Sequence, residues 1–153
     1  MTKMQLYENL VTQIISLLEM ETDPVANMAN VSAVLFNGQP DINWAGFYIL
    51  RGNELVLGPF QGKPACVRIK MGRGVCGTCA QTGQTQVVKD VHAFPGHIAC
   101  DSASKSEIVI PIFKEKKLWG VLDIDAPVLA RFDETDKLYL ETIAREFEKK
   151  TNL

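Results

Sequence analysis

No apolar run in the sequence approaches the roughly 20 residues that a helix needs to cross a bilayer, so no membrane-spanning segment is expected. A basic block or basic–aromatic stripe is also missing. The 16 Lys and Arg are outweighed by 18 Asp and Glu, for a formal net charge of −2, and the electrostatic footprint of a nucleic-acid binder is not there. The first ten residues break up their apolar positions and include Glu8, which is not the pattern of a secretion signal, so a cytoplasmic location is expected. Internal repeats, linkers and low-complexity stretches are absent. With 46% hydrophobic and 22% charged residues, the 153-residue chain reads as one globular domain over residues 1–153.

Cysteine is scarce but clustered: Cys66, Cys76, Cys79 and Cys100 are all there are. In a secreted chain they would suggest two structural disulfides. In a reducing compartment, close cysteines point instead to redox chemistry or a metal, with a buried inert thiol as the plain reading of any one of them.

Periodicity supplies the framework. Leu6, Leu10, Val11, Ile14, Ile15 and Leu18 fall at helical spacing, and Asp23-Pro24 sets up a second helix that ends at Asn37-Gly38. Strands are expected over residues 43–50 and 54–60, joined by Arg51-Gly52-Asn53, and over 66–69, 85–88, 107–113 and 118–125. A short helix over 75–82 is closed by Gly83, and a last helix runs from about Phe132-Asp133 to Lys149-Lys150. Residues 89–106 read as irregular, and an irregular stretch of that length in a compact domain is usually functional. Terminal helices around hairpin-linked strands indicate an α+β domain on an antiparallel sheet.

Several chemistries compete for the cysteines. Cys76-Gly-Thr-Cys79 has the spacing of a redox pair at a helix start, but that motif belongs in a βαβ unit and these strands are hairpin-linked. Cys76, Cys79, His92, His97 and Cys100 offer enough soft ligands for zinc, although only half of the usual two-pair pattern is present. Cys100 differs in setting, because it lies within the irregular segment, where a thiol can meet a substrate. Cys66 heads a strand beside the Gly62-Lys63-Pro64 turn. His92 and His97 read as structural loop histidines before they read as catalytic bases.

The carboxylates carry a second signal. Asp123 and Asp125, two apart on a strand, share a face, and Glu107 heads the neighbouring strand. Such acids repel unless a cation sits among them or one stays protonated. A protonated member can donate to a developing oxyanion, and the cluster can hold an ammonium group. Trp44 and Tyr48 share a face too, either as core or as the wall of a pocket for an S-methyl group.

These residues lie in longer blocks that resemble the free methionine-(R)-sulfoxide reductases, a family built on the GAF domain. The blocks are residues 43–48, 57–66, 72–77, 90–104, 106–108 and 120–125, and the resemblance spans almost the whole chain. It implies a GAF-like fold: a six-stranded antiparallel sheet with N- and C-terminal helices packed on it, and commonly a homodimer. It implies Cys100 as the nucleophile that attacks the sulfoxide sulfur and becomes a sulfenic acid, Cys66 as the resolving cysteine, and Cys76 as an alternative resolver. Glu107, Asp123, Asp125, Trp44 and Tyr48 match substrate-binding positions. The substrate would be free methionine-(R)-sulfoxide. Thioredoxin would be the reductant, with electrons from NADPH through thioredoxin reductase, no tightly bound cofactor and no metal. Cys79 departs from the family pattern, in which a small apolar residue is usual, and leaves the resolving partner open. Two other readings make predictions of their own. A GAF ligand- or redox-sensing module would use the cysteines as a switch, and it would be expected to carry an output region, whereas this chain ends at Leu153. A zinc-stabilised domain would hold stoichiometric metal.

Overall fold

The structure is a computed structural model, and it describes residues 1–97 and 102–153. Cys100, the expected nucleophile, therefore lies outside the described residues.

Two helices open the chain. In α1 (Lys3–Leu18), Thr2 and Gln5 form a reciprocal capping box, and Tyr7, Leu10, Ile14 and Leu18 are its buried stripe. In α2 (Pro24–Gly38), the Asp23 carboxylate accepts the amide of Ala26, and proline stands at the first position, where a missing N–H costs nothing. Next come β1 (Trp44–Arg51) and β2 (Glu54–Gly62), joined by Gly52 and Asn53. β3 (Arg68–Lys70) is three residues long and starts later than the sequence suggests, so Cys66 lies ahead of it in the connection. The Val67 carbonyl accepts the Leu57 amide there, but Lys63-Pro64 keeps the segment from pairing regularly.

α3 (Gly74–Thr82) ends at Gly83, which adopts the left-handed conformation. β4 (Gln86–Val88) follows, then a 3₁₀ turn at Val91–Ala93. β5 (Ser106–Lys114) and β6 (Lys117–Ala126) form a hairpin whose two turn residues, Glu115 and Lys116, both have positive φ. Finally, α4 (Glu134–Lys150) begins at a second capping box, formed by Asp133 and Asp136.

The six strands form one sheet in the order β3-β2-β1-β6-β5-β4, antiparallel at every pairing. The α+β reading and the strand count expected from the sequence are both correct. Strand alternation divides the sheet into two faces. Ala45 and Phe47 of β1, Ile108, Ile110 and Ile112 of β5, and Leu122, Ile124 and Ala126 of β6 point into a core covered by α1, α2 and α4. Trp44, Tyr48, Leu55, Val109 and Val121 point the other way, against Val75, Cys76, Cys79 and Ala80 of α3.

One charged knot ties the termini of the helical layer together. Asp136, fully buried, accepts from the Tyr7 hydroxyl at 2.6 Å, from Lys3 Nζ at 2.7 Å and from Arg131 Nη1 at 3.2 Å. Removing that carboxylate would leave the Arg131 charge mostly buried and unpaired. Asp136→Ala should lower unfolding free energy by about 3 kcal/mol, the lower end for a broken buried pair because Lys3 is partly exposed. A urea-denaturation midpoint within error of wild type would contradict this.

Candidate active site

Among the described residues, the carboxylates that the sheet buries lie on the face carrying α3. β6 places Asp123 and Asp125 on that face, as their spacing requires, and the β5–β6 register sets Glu107 opposite Asp125 and Val109 opposite Asp123. On the other side of β6, Trp44 of β1 pairs with Asp125 and Gly46 with Asp123. Two rows thus run across β5, β6 and β1: Glu107–Asp125–Trp44 and Val109–Asp123–Gly46. Glu107 and Asp123 are only 8% and 5% exposed, a burial that acids rarely reach unless paired.

Gly46 is required where it stands. A Cβ there would run into Phe60 Cβ and come within 2.9 Å of the Trp44 ring. Glycine between Trp44 and Tyr48 lets Phe60 stack on Trp44, at 5.1 Å between ring centres. β2 adapts to this with a bulge between Leu57 and Phe60, where Pro59 has no amide to donate to a ladder.

The two aromatics hold the next segment by their polar ends. The Trp44 indole N–H donates to the Lys63 carbonyl at 3.1 Å, and the Tyr48 hydroxyl donates to the Cys66 carbonyl at 2.8 Å. Pro64 and Ala65 are thereby laid over the acids, and together with the start of α3 they enclose a pocket. Its floor is Glu107, Asp123 and Asp125; Trp44 and Tyr48 form one wall, and Gly74, Val75 and Cys76 form the opposite one. That opposite wall is the N-terminal turn of a helix whose first amides have no side-chain cap.

Burial dominates the protonation of the acids. It raises Glu107 well above the ordinary carboxyl range, and Asp123 and Asp125 raise it further. Burial and Asp123 likewise raise Asp125 well above that range. Asp123 is raised by burial, but hydrogen bonds from Glu107, Cys76 and Asp125 oppose the rise. Asp123 is thus raised less than its two neighbours, and the three acids titrate as one coupled group. The Ser104 hydroxyl reaches Asp125 Oδ2 at 3.4 Å and is itself reached by the Asn43 amide at 3.2 Å. Among the described residues, Asp123 Oδ1 and Asp125 Oδ1 are buried without a hydrogen-bond partner.

The cysteines divide. Cys66 is half-buried and disulfide-bonded. Cys76 and Cys79 are buried free thiols. Cys76 donates toward Glu107 Oε2 at 3.8 Å, and burial followed by the charges of Asp123 and Glu107 pushes its thiol well up. Cys79 turns away from the pocket to the Val109 carbonyl at 3.6 Å. The CxxC pair therefore points in two directions and carries no disulfide. The zinc set imagined for Cys76, Cys79 and the histidines does not converge among the described residues. His97 lies at the pocket edge, where burial and then His92 favour its neutral form, while His92 is exposed and bonded to Asp90.

The structure brings Glu107, Asp123, Asp125, Trp44 and Tyr48, the five pocket candidates of the sequence, into one pocket lining. Of the α3 turn the sequence singled out Cys76 alone, and it gave no role to Ser104, Gly74 or Val75, whose spacing marks none of them as pocket residues.

An acid whose pKa is raised on folding stabilises the protein fully below its unfolded pKa, about 4.3 for Glu, and that contribution is lost as pH climbs through the folded value. Wild-type stability should thus decline with rising pH above about 5, and Glu107→Gln should flatten the decline. Urea midpoints between about pH 5 and 8 measure this, and parallel curves for the two proteins would refute it.

Comparison with known proteins agrees with this architecture. Residues 7–149 match the GAF domain family. The chain is 50% identical over 149 residues to the free methionine-R-sulfoxide reductase of Escherichia coli, covering 97% of this chain and 90% of that protein. The crystal structure of the Neisseria meningitidis free methionine-R-sulfoxide reductase in complex with its substrate superposes with a TM-score of 0.95 at 51% identity, covering 98% of this chain and 90% of that one. The reduced form of the Staphylococcus aureus fRMsr gives 0.92 at 57% identity, with 94% of each chain covered. With a matching sheet, a matching family span and half of its residues shared with these proteins, the chain belongs to the GAF domain family and, within it, to the free methionine-R-sulfoxide reductases.

Proposed function

We propose that this protein reduces free L-methionine (R)-S-oxide to L-methionine. The observation that carries the reading is the row Glu107–Asp125–Trp44, in which buried acids adjoin an aromatic wall in one small pocket. Asp123 as carboxylate suits the substrate ammonium, and a neutral acid beside it suits the sulfoxide oxygen. Trp44 and Tyr48 offer ring surface to the S-methyl group. The amides at the start of α3, which have no side-chain cap and lie across the pocket from the acids, suit the substrate carboxylate. A methionine within a peptide lacks both charged ends.

In this reading the Cys100 thiolate attacks the sulfoxide sulfur, a neighbouring carboxylic acid protonates the oxygen, and the oxygen passes to Cys100 as sulfenic acid while methionine leaves. The Cys66 thiol then condenses with the sulfenic acid, forming a disulfide and releasing water before over-oxidation can occur. The Tyr48 bond that anchors Cys66, and the disulfide-bonded state of Cys66, support its resolving role. Cys76 is the weaker candidate resolver, because its buried thiol resists ionisation. The thioredoxin dithiol would return the disulfide to thiols, itself becoming oxidised, with NADPH as the ultimate donor through thioredoxin reductase. We place this cycle in the cytoplasm, in a homodimer of one-domain chains spanning residues 1–153.

NADPH oxidation coupled to thioredoxin and its reductase should proceed with the free R-sulfoxide, and neither with the free S-sulfoxide nor with a peptide-bound sulfoxide. Cys100→Ser should abolish it. Cys66→Ser should release about one equivalent of methionine and then slow steeply. Full activity in Cys100→Ser, or turnover of the S form alone, would overturn the proposal.

A further inference from the structure

Cys76 belongs to α3, whereas Glu107 and Asp123 belong to neighbouring strands, yet one donor atom from each lies within 4.8 Å of the others. Among the described residues, no other three His, Cys, Asp or Glu side chains converge in this way. Cys76 Sγ stands 3.8 Å from Glu107 Oε2. A tetrahedral zinc ion, with bonds of about 2.3 Å to sulfur and about 2.1 Å to oxygen, sets its sulfur and oxygen ligands about 3.6 Å apart. The three donors therefore need little movement to close on one ion. A second observation points to a ligand at the same place. Asp123, 5% exposed, lines the pocket with its Oδ1 buried and unpartnered among the described residues.

We propose that the pocket reversibly binds one borderline-soft divalent cation of the zinc class on Cys76, Glu107 and Asp123, and that the bound cation excludes the substrate. The first half stands on the donor geometry alone; the second rests on reading this pocket as the methionine sulfoxide site. One sulfur and two oxygens select against magnesium and calcium, which need six or more oxygen ligands. The fourth tetrahedral position opens to the pocket and can take a water molecule. On binding, the thiol proton and any proton held by the two carboxyls pass to solvent, and no oxidation state changes. Substrate is excluded because the ion uses Glu107 and Asp123, the groups that would otherwise meet the ammonium and the sulfoxide. The ion is thus an inhibitor of the site and not a cofactor of the reaction.

Cobalt(II) titrated into the Cys66→Ser/Cys100→Ser protein, in which Cys76 and Cys79 are the remaining thiols, tests this without turnover. A sulfur-to-cobalt charge-transfer band should grow to one equivalent and disappear on addition of free methionine sulfoxide. It should vanish with the further change Cys76→Ser, persist with Cys79→Ser, and need at least tenfold more cobalt with Asp123→Asn. The last variant keeps every thiol and guards against a Cys76→Ser protein that does not fold. Absence of the band, its survival in folded Cys76→Ser, or an unchanged cobalt requirement in Asp123→Asn would overturn the site. A band that free sulfoxide leaves in place, while wild type reduces that sulfoxide, would overturn the exclusion. A cobalt band together with no sulfoxide turnover by wild type would defeat the reductase reading and support the cation site by itself.

Discussion

Three carboxyl groups share one buried sheet face, and they cannot all be charged there. Glu107, Asp123 and Asp125 are held by the backbone register of β5 and β6, so they cannot separate to relieve the repulsion. What can change is protonation or occupancy: a proton shared among them, or a cation lying over them. A folded domain gains nothing in stability from such an arrangement, because apolar residues at the three positions would fill the same face without the desolvation cost. The surroundings are consistent with a face built to receive something. The start of α3 stands across the pocket from the acids, and Asp123 Oδ1 and Asp125 Oδ1 are buried there without partners among the described residues.

That constraint also accounts for the division of labour between the faces of the sheet. The helical side is a conventional core, in which Phe47, Ile110, Leu122 and Phe147 meet α1, α2 and α4 and the buried Asp136 is fully paired. The α3 side has a smaller apolar cluster that ends at the acids. Stability is concentrated in one layer, and this permits an unsatisfied polar row in the other. Trp44 and Tyr48 join the two regimes: their rings pack within the smaller cluster, while their polar atoms hold residues 63 and 66 over the pocket.

Much of this was legible in the chain because strand alternation is local. The two-residue spacing of Asp123 and Asp125, and the four-residue spacing of Trp44 and Tyr48, assign faces once the strands are recognised. The β5–β6 hairpin then brings Glu107 to Asp125 by register alone. What covers a face is not local. The placement of α3 against the acids depends on pairings far apart in sequence, so Cys76 could be seen as half of a CxxC motif but not as a neighbour of Glu107 and Asp123. The places of Ser104, Gly74 and Val75 in the pocket were not legible for the same reason. The strand expected over residues 66–69 pairs regularly only from Arg68, which leaves Cys66 in the connection ahead of it. The role of Cys100 rests on its sequence block and on family membership.

The changed standing of the CxxC motif shows how burial outranks spacing. Two cysteines one helical turn apart can form a disulfide only if both face the same way and one ionises readily. Here Cys79 turns to a backbone carbonyl of β5 and Cys76 turns to the acids, whose negative charge and low-dielectric setting both oppose a thiolate. The usual benefit of a helix N-terminus to a cysteine is thereby outweighed. The same setting that makes Cys76 a poor nucleophile makes it a good ligand in waiting, because a divalent cation would supply the positive charge that the thiolate and the carboxylates lack. Reactivity at this position is therefore governed by what enters the pocket and not by the thiol itself.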